Sequence, residues 1–188
     1  NDGIIVLTNR GELIKYNYVG YRNFTINLKT STNCNPAAND EFIVFGTLKG
    51  ELVILNRKDG TIYFKEKVCG PIESGFTIEN NYIYFGDSNG VLYAFDIVNK
   101  KIIWQFNTDS KIVVTPVFDN SKIIVGNLGG RIVAVDKKSG KKIWSINTKG
   151  VINTTPILTK TFLIQPDFNK KVYFLNAATG SIVDTIEF

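Results

Sequence analysis

The chain repeats every 40 residues, and this period constrains its fold more than any single motif. Gly20, Gly60, Gly140 and Gly180 share one phase, with Lys100 in the remaining slot. Phe24, Phe64, Trp104 and Trp144 share another, followed by Asp184. Pro36, Pro116 and Pro156 share a third, with Phe76 between them, and Gly46, Gly86 and Gly126 a fourth. Chance does not keep four such series in register. A period near 40 with strand-like content predicts propeller blades or stacked sheets.

The clearest unit shows what one repeat contains. Val113 to Phe118 is a β-branched run, Lys122 to Gly126 a second, Arg131 to Asp136 a third and Lys141 to Ile146 a fourth. Short clusters rich in Gly, Asn, Asp and Ser separate them, as tight hairpins require. Four short strands so joined make an antiparallel meander. The same pieces recur through the chain, and the unit before residue 33 begins at its second strand. The expectation is an all-β propeller, or an arc of one, of about five four-stranded blades. They are placed at 1–32 (without its inner strand), 33–70, 71–111, 112–150 and 151–188. A lone meander cannot cover both faces, so radial packing of blades is the natural solution. Large rings at a single phase fill the wedges between blades.

Composition removes several function classes. The chain contains no histidine, which takes away the commonest general base and metal ligand. No Ser-His-Asp triad can be assembled. The glycines precede strands rather than helices, so no phosphate-cradling loop is present. The net charge of +5 is not gathered in a long basic run, and no nucleic-acid partner is expected. No apolar stretch reaches transmembrane length. Cys34 and Cys69 lack CxxC partners; they either pair in one disulfide or remain separate thiols.

Two segments, from Ala94 to Trp104 and from Ala134 to Trp144, carry a family resemblance. Both have Ala, then Asp, then a turn, then Trp, and Gly140 completes the second copy. The pattern resembles the tryptophan-docking repeat of pyrroloquinoline-quinone-type β-propellers and is more similar to the non-catalytic BamB-type branch than to the quinoprotein dehydrogenases. The resemblance implies that Trp104, Trp144, Phe64 and Phe24 dock blades, and that Asp96, Asp136, Gly140 and Gly180 shape turns. It implies no catalytic residue, no cofactor and no metal. It implies a protein-binding scaffold in the cell envelope, periplasm or extracellular space, with the ring completed by self-association or further blades. The alternatives are a fragment of a quinoprotein-like enzyme whose site lies elsewhere and a carbohydrate-binding propeller using Tyr18, Tyr21, Tyr63 and Tyr82.

Candidate interaction residues follow from position. Lys49, Asn89, Leu128 and Phe168 lie at the tips between second and third strands, where the chemistry varies on a constant frame. The apolar tips, Leu48, Leu128 and Phe168, are expected to fold back onto the blades. Lys137 and Lys138, with Lys100, Lys101, Lys141 and Lys142, flank the third turn. They read as a docking patch for an anionic partner or as lysine protection of an edge strand.

Overall fold

The computed structural model describes residues 3–188, and among them there is no helix. Nineteen strands form five antiparallel sheets in sequence order. The first sheet has three strands, β1 (Ile4–Leu7), β2 (Glu12–Tyr16) and β3 (Arg22–Asn27). The other four each have four strands. The second holds β4 (Ala37–Ala38), β5 (Phe42–Gly46), β6 (Glu51–Asn56) and β7 (Ile62–Lys67). The third holds β8 (Thr77–Glu79), β9 (Tyr82–Gly86), β10 (Val91–Asp96) and β11 (Lys101–Asn107). The fourth holds β12 (Val117–Phe118), β13 (Lys122–Gly126), β14 (Arg131–Asp136) and β15 (Lys142–Asn147). The fifth holds β16 (Ile157–Leu158), β17 (Phe162–Pro166), β18 (Lys171–Asn176) and β19 (Ile182–Glu187). These are the blades of a β-propeller.

The inner strands are shorter than the β-branched runs suggest. Val113 to Pro116 does not pair in the ladder; β12 begins only at Val117. Proline immediately precedes β4, β12 and β16, and its missing N–H ends the ladder there. The two middle strands are buried on both faces in blades two to four, and the outer strand alternates. This explains why the middle strands read as continuous apolar runs.

Between third and fourth strands every blade slips register by one residue. Ala94 pairs with Trp104 but Phe95 pairs with Ile102, leaving Ile103 as the extra residue. The same shift recurs at Lys15/Tyr16, Ile54/Leu55, Ala134/Val135 and Phe174/Leu175. A bulge re-aims the side chains around it. Here residue 104 faces the next blade while residue 103 faces outward.

The joint between blades is a ring on a turn. A Cβ added to Gly140 would lie 2.7 Å from the Trp104 ring, and one at Gly180 would lie 2.5 Å from Trp144. At Gly60 the nearest atoms belong to Ile26 and Phe24. Each glycine has positive φ (76°, 68° and 73° at Gly60, Gly140 and Gly180), so a side chain there meets both strain and collision. The indole N–H of Trp104 donates to the Lys137 carbonyl at 2.9 Å, and that of Trp144 to the Ala177 carbonyl at 3.3 Å. Blade three replaces the glycine with Lys100, which keeps the left-handed conformation at φ 52°. Phe64 meets this blade through Phe95, with ring centroids 5.2 Å apart. Gly20 has the same positive φ, and nothing lies within 4 Å of its Cβ direction.

A second close contact locks each blade to the connection that follows it. Gly46, Gly86 and Gly126 leave no room for a side chain, because Ile72, Ile112 and Ile152 of the following connections lie 2.4 Å from the position of an added Cβ. All three isoleucines are fully buried.

Candidate interaction surface

The turns define two ends of the molecule. One end carries the turns between second and third strands. There a buried side chain staples each tip: Thr47, Asp87, Asn127 and Asp167 occupy one phase of the repeat. Asp87 Oδ1 accepts from the N–H groups of Asn89 and Val91, both at 3.0 Å, and Asp167 does the same for Asn169 and Lys171. Thr47 Oγ1 accepts from Lys49 and Glu51, and Asn127 Oδ1 from Arg131. The spare oxygen of Asp87 accepts from Gly70 N–H and the Tyr93 hydroxyl. That carboxylate partner and burial push the Tyr93 phenol far up, with burial the larger cause. This series shares one phase, as the glycines do. Its mix of Thr, Asp and Asn hides it from a search for identical residues.

Two of the three apolar tips, Leu48 and Phe168, do not fold back. Phe168 is 70% exposed and Leu48 40%, while Leu128 is half-buried. The N–H groups of Leu48, Leu128 and Phe168 donate to the Ser31, Lys111 and Val151 carbonyls of the connections beside them. The backbone therefore faces the blades and the side chains of Leu48 and Phe168 face solvent. Lys49 and Asn89 are exposed at the same end.

The opposite end carries the turns between third and fourth strands. Asp96 Oδ1 accepts from Asn99 N–H at 2.9 Å, and Asp136 Oδ1 from Ser139 N–H at 2.8 Å. Asn176 Oδ1 holds Ala178 and Thr179 in the same way. The Asn99 N–H lowers the Asp96 pKa, and the Ser139 hydroxyl lowers that of Asp136. These carboxylates are ionised turn acceptors, which is what a repeated structural Asp does.

Lys137 and Lys138 are adjacent but differ in state. The Lys137 side chain is only 14% exposed; its Nζ lies 2.9 Å from Glu79 Oε1, donates to the Asp119 carbonyl and sits over the Phe118 ring. It ties the fourth blade to the third. Lys138 is exposed, as are Lys100, Lys101, Lys141 and Lys142. Lys100 also lies 4.5 Å from the centroid of Tyr63. Tyr18 and Tyr21 are exposed in the first blade.

A depression of 510 Å³ opens at this end, between the third and fourth blades. Tyr82, Tyr84, Ile103 and Glu79 line it from one side, Lys137 and Lys138 from the other. Burial, then the nearby Glu79, pushes the Tyr84 phenol up to about 12.

Both cysteines are free. Cys34 Sγ is held within its own blade, accepting from Gly46 N–H at 3.1 Å. Ser74 makes the same clasp with Gly86 in the next blade. Cys69 Sγ donates to the Gly70 carbonyl at 3.2 Å. Each thiol is engaged locally, and no disulfide forms. Among the described residues no group of three or more Cys, Asp or Glu side chains is placed to hold a metal.

Blades of one 40-residue repeat, sealed by rings on left-handed turns, define a PQQ-type repeat β-propeller. The chain belongs to the family described as outer membrane protein assembly factor BamB, which matches residues 19–150 and, again, 103–183. No curated protein matches it in sequence. Among solved structures, BamB from Moraxella catarrhalis is similar over 100% of this chain and 62% of its own, at 19% identity and a TM-score of 0.82. The computationally designed Ika8 protein is similar over 99% and 59%, at 13% identity and a TM-score of 0.86. Quinohemoprotein alcohol dehydrogenase ADHIIG from Pseudomonas putida HK5 is similar over 100% and 41%, at 14% identity and a TM-score of 0.88. The chain thus spans under two thirds of each of these proteins, and the likeness is one of fold.

Proposed function

We propose that this chain is a non-catalytic propeller scaffold that binds protein partners through its turns, in a bacterial cell envelope, in the assembly of outer-membrane proteins. Membership of the family described by that role supports the reading. The observation that carries it is the use of the repeated acids. Asp87, Asp167, Asp96 and Asp136 are each spent on backbone N–H groups of their own turns, so the regular frame leaves the variable tips free to differ. One fold hosts many functions, so the argument rests on these sites rather than on shape.

The uncovered surfaces fit a scaffold that joins a larger ring. The Gly20 turn is bare, and Ile157 of the fifth blade is exposed at the position where Val117 is half-buried. Another copy or further blades would cover them.

A quinoprotein-like fragment is the second reading, favoured by the dehydrogenase fold match. Calorimetric titration with pyrroloquinoline quinone and calcium separates the two. The scaffold reading expects no saturable heat; tight binding overturns it. Site-specific photo-cross-linkers at Lys49, Asn89, Leu128 and Phe168 then test the tips, with cross-links to envelope assembly proteins expected.

A further inference from the structure

The depression between the third and fourth blades is a wedge that differs from the neighbouring joints in the side chains that meet there; the rings one blade earlier line a separate depression of 460 Å³ on their own blade. At the joint before the wedge, Phe42 and Tyr63 pack with centroids 4.9 Å apart, and Lys100 caps Tyr63. At the joint after the wedge, Lys122 occupies the place of Tyr82; it is 8% exposed and pairs with Asp119. Between the third and fourth blades the equivalent residues are Tyr82, Ile103 and Gly140. Gly140 has no side chain to act as the cap. The wedge is therefore open, and at 510 Å³ it falls within the ~300–1,000 Å³ typical of ligand sites.

Its walls combine apolar surface with a few polar groups. The bulge turns Ile103 outward, 43% exposed, and Tyr82 is 40% exposed beside it. Tyr84 is 3% exposed, lines the pocket, and its hydroxyl has no hydrogen-bond partner among the described residues. That hydroxyl opens onto the depression, where it is free to donate to a ligand. Glu79 is neutralised by Lys137. Lys138 stands exposed at the rim, its charge felt by Asp136 two residues before it, and Lys141 and Lys142 are exposed just beyond, so lysines outnumber carboxylates on this side. The site therefore offers an apolar shelf, a hydroxyl donor and excess positive charge.

We infer that this wedge is a docking site for an acidic peptide segment of a partner protein. An apolar side chain of the segment seats on Ile103 and Tyr82. A neighbouring carboxylate accepts from the Tyr84 hydroxyl and pairs with Lys138. Charge complementarity selects an acidic segment over a neutral or basic one. The inference rests on the scaffold reading and places one of its contacts on the end opposite the variable tips.

The probe is a fluorescein-labelled Glu-Glu-Phe-Glu-Glu peptide, with Gln-for-Glu and Lys-for-Glu versions as comparisons, titrated to about 1 mM. Polarisation gives affinity, and amide chemical shifts of the isotope-labelled chain give location. Shifts confined to Glu79, Asn80, Ile103 and Lys138 are expected. Tyr84→Phe keeps the ring and removes only the donor; it and Lys138→Glu should each weaken binding about tenfold. Lys160→Glu makes the same change of charge on the fifth blade and should leave affinity within about twofold. Equal weakening by Lys160→Glu, shifts at Leu48, Leu128 and Phe168 instead, or no binding of the acidic peptide overturns the inference. So does displacement of the peptide from the wedge by a neutral oligosaccharide. Shifts at the tips would leave the scaffold reading intact; only the quinone titration decides that.

Discussion

Trp104 and Gly140 form a single joint across two blades: the indole covers a turn that only a glycine fits without collision, and its N–H is fixed by the carbonyl of Lys137. Trp144 and Gly180 repeat it one blade later. Each Trp is at least nine-tenths buried. Trp104→Ala should cost about 3–5 kcal/mol, as for other large-to-small changes at buried aromatic sites. Gly140→Ala should also destabilise, through both positive φ and the Trp104 contact. At Lys100, which has positive φ without that glycine, the glycine variant should be more stable than the alanine variant by about 1 kcal/mol. Urea unfolding of the four variants checks all three statements.

Gly86 and Ile112 should behave as a coupled pair. Gly86→Ala places a methyl group into Ile112 and should cost about 1–3 kcal/mol, the usual penalty of overpacking. Ile112→Ala alone should cost about 2–5 kcal/mol. The double variant should cost less than the sum, because each change makes room for the other. Additive costs in a double-mutant cycle would show that the contact is relieved elsewhere.

Asp119 gives stability a dependence on acid. Burial alone would raise its pKa, but the Lys122 ammonium and the N–H groups of Ser121 and Lys122 outweigh burial and hold it at about 2. The folded value is below the unfolded one near 3.9, so the stabilisation is complete above pH ~4 and is lost as pH falls toward 2. The carboxylate is partly solvated, so screening limits its worth to below about 1 kcal/mol. Asp119→Asn should lower stability by that amount at pH 7 and flatten the acid limb of a pH-dependent melting curve.

The thiols should be slow to react. Burial is the main cause, with Asp87 adding to it, that pushes Cys69 up to about 12, and burial likewise raises Cys34. Both remain protonated at pH 8, and the thiolate is the nucleophile. Mass spectrometry after iodoacetamide at that pH should show little labelling of the folded chain and double labelling after denaturation. Cys34→Ser should be tolerated, since Ser74 makes the same clasp one blade on.

The repeat was legible because blades bury the same positions each time. Glycines at Gly60, Gly140 and Gly180 and rings at Trp104 and Trp144 have a steric reason to stay, so they recur as identities. The bulge at Ile103 was not legible: the outer strand alternates on either side of it, and one inserted residue leaves no mark on a count of strands. The inner strands are shorter than their β-branched runs because such residues also suit extended backbone that pairs with nothing. The tip staples at Thr47, Asp87, Asn127 and Asp167 leave no repeated identity in the sequence, since three residue types perform one task. The wedge was hidden for a different reason. It is made by what Gly140 lacks relative to Lys100, and such a difference becomes visible only when two blades are set side by side.

The bare turn at Gly20 bears on how this chain behaves in a test tube. It offers the curvature that Phe24, Trp104 and Trp144 embrace elsewhere, flanked by exposed Tyr18 and Tyr21. A second copy that seated a ring in this socket would make sedimentation shift with concentration, and a short indole-bearing peptide would then reverse the shift.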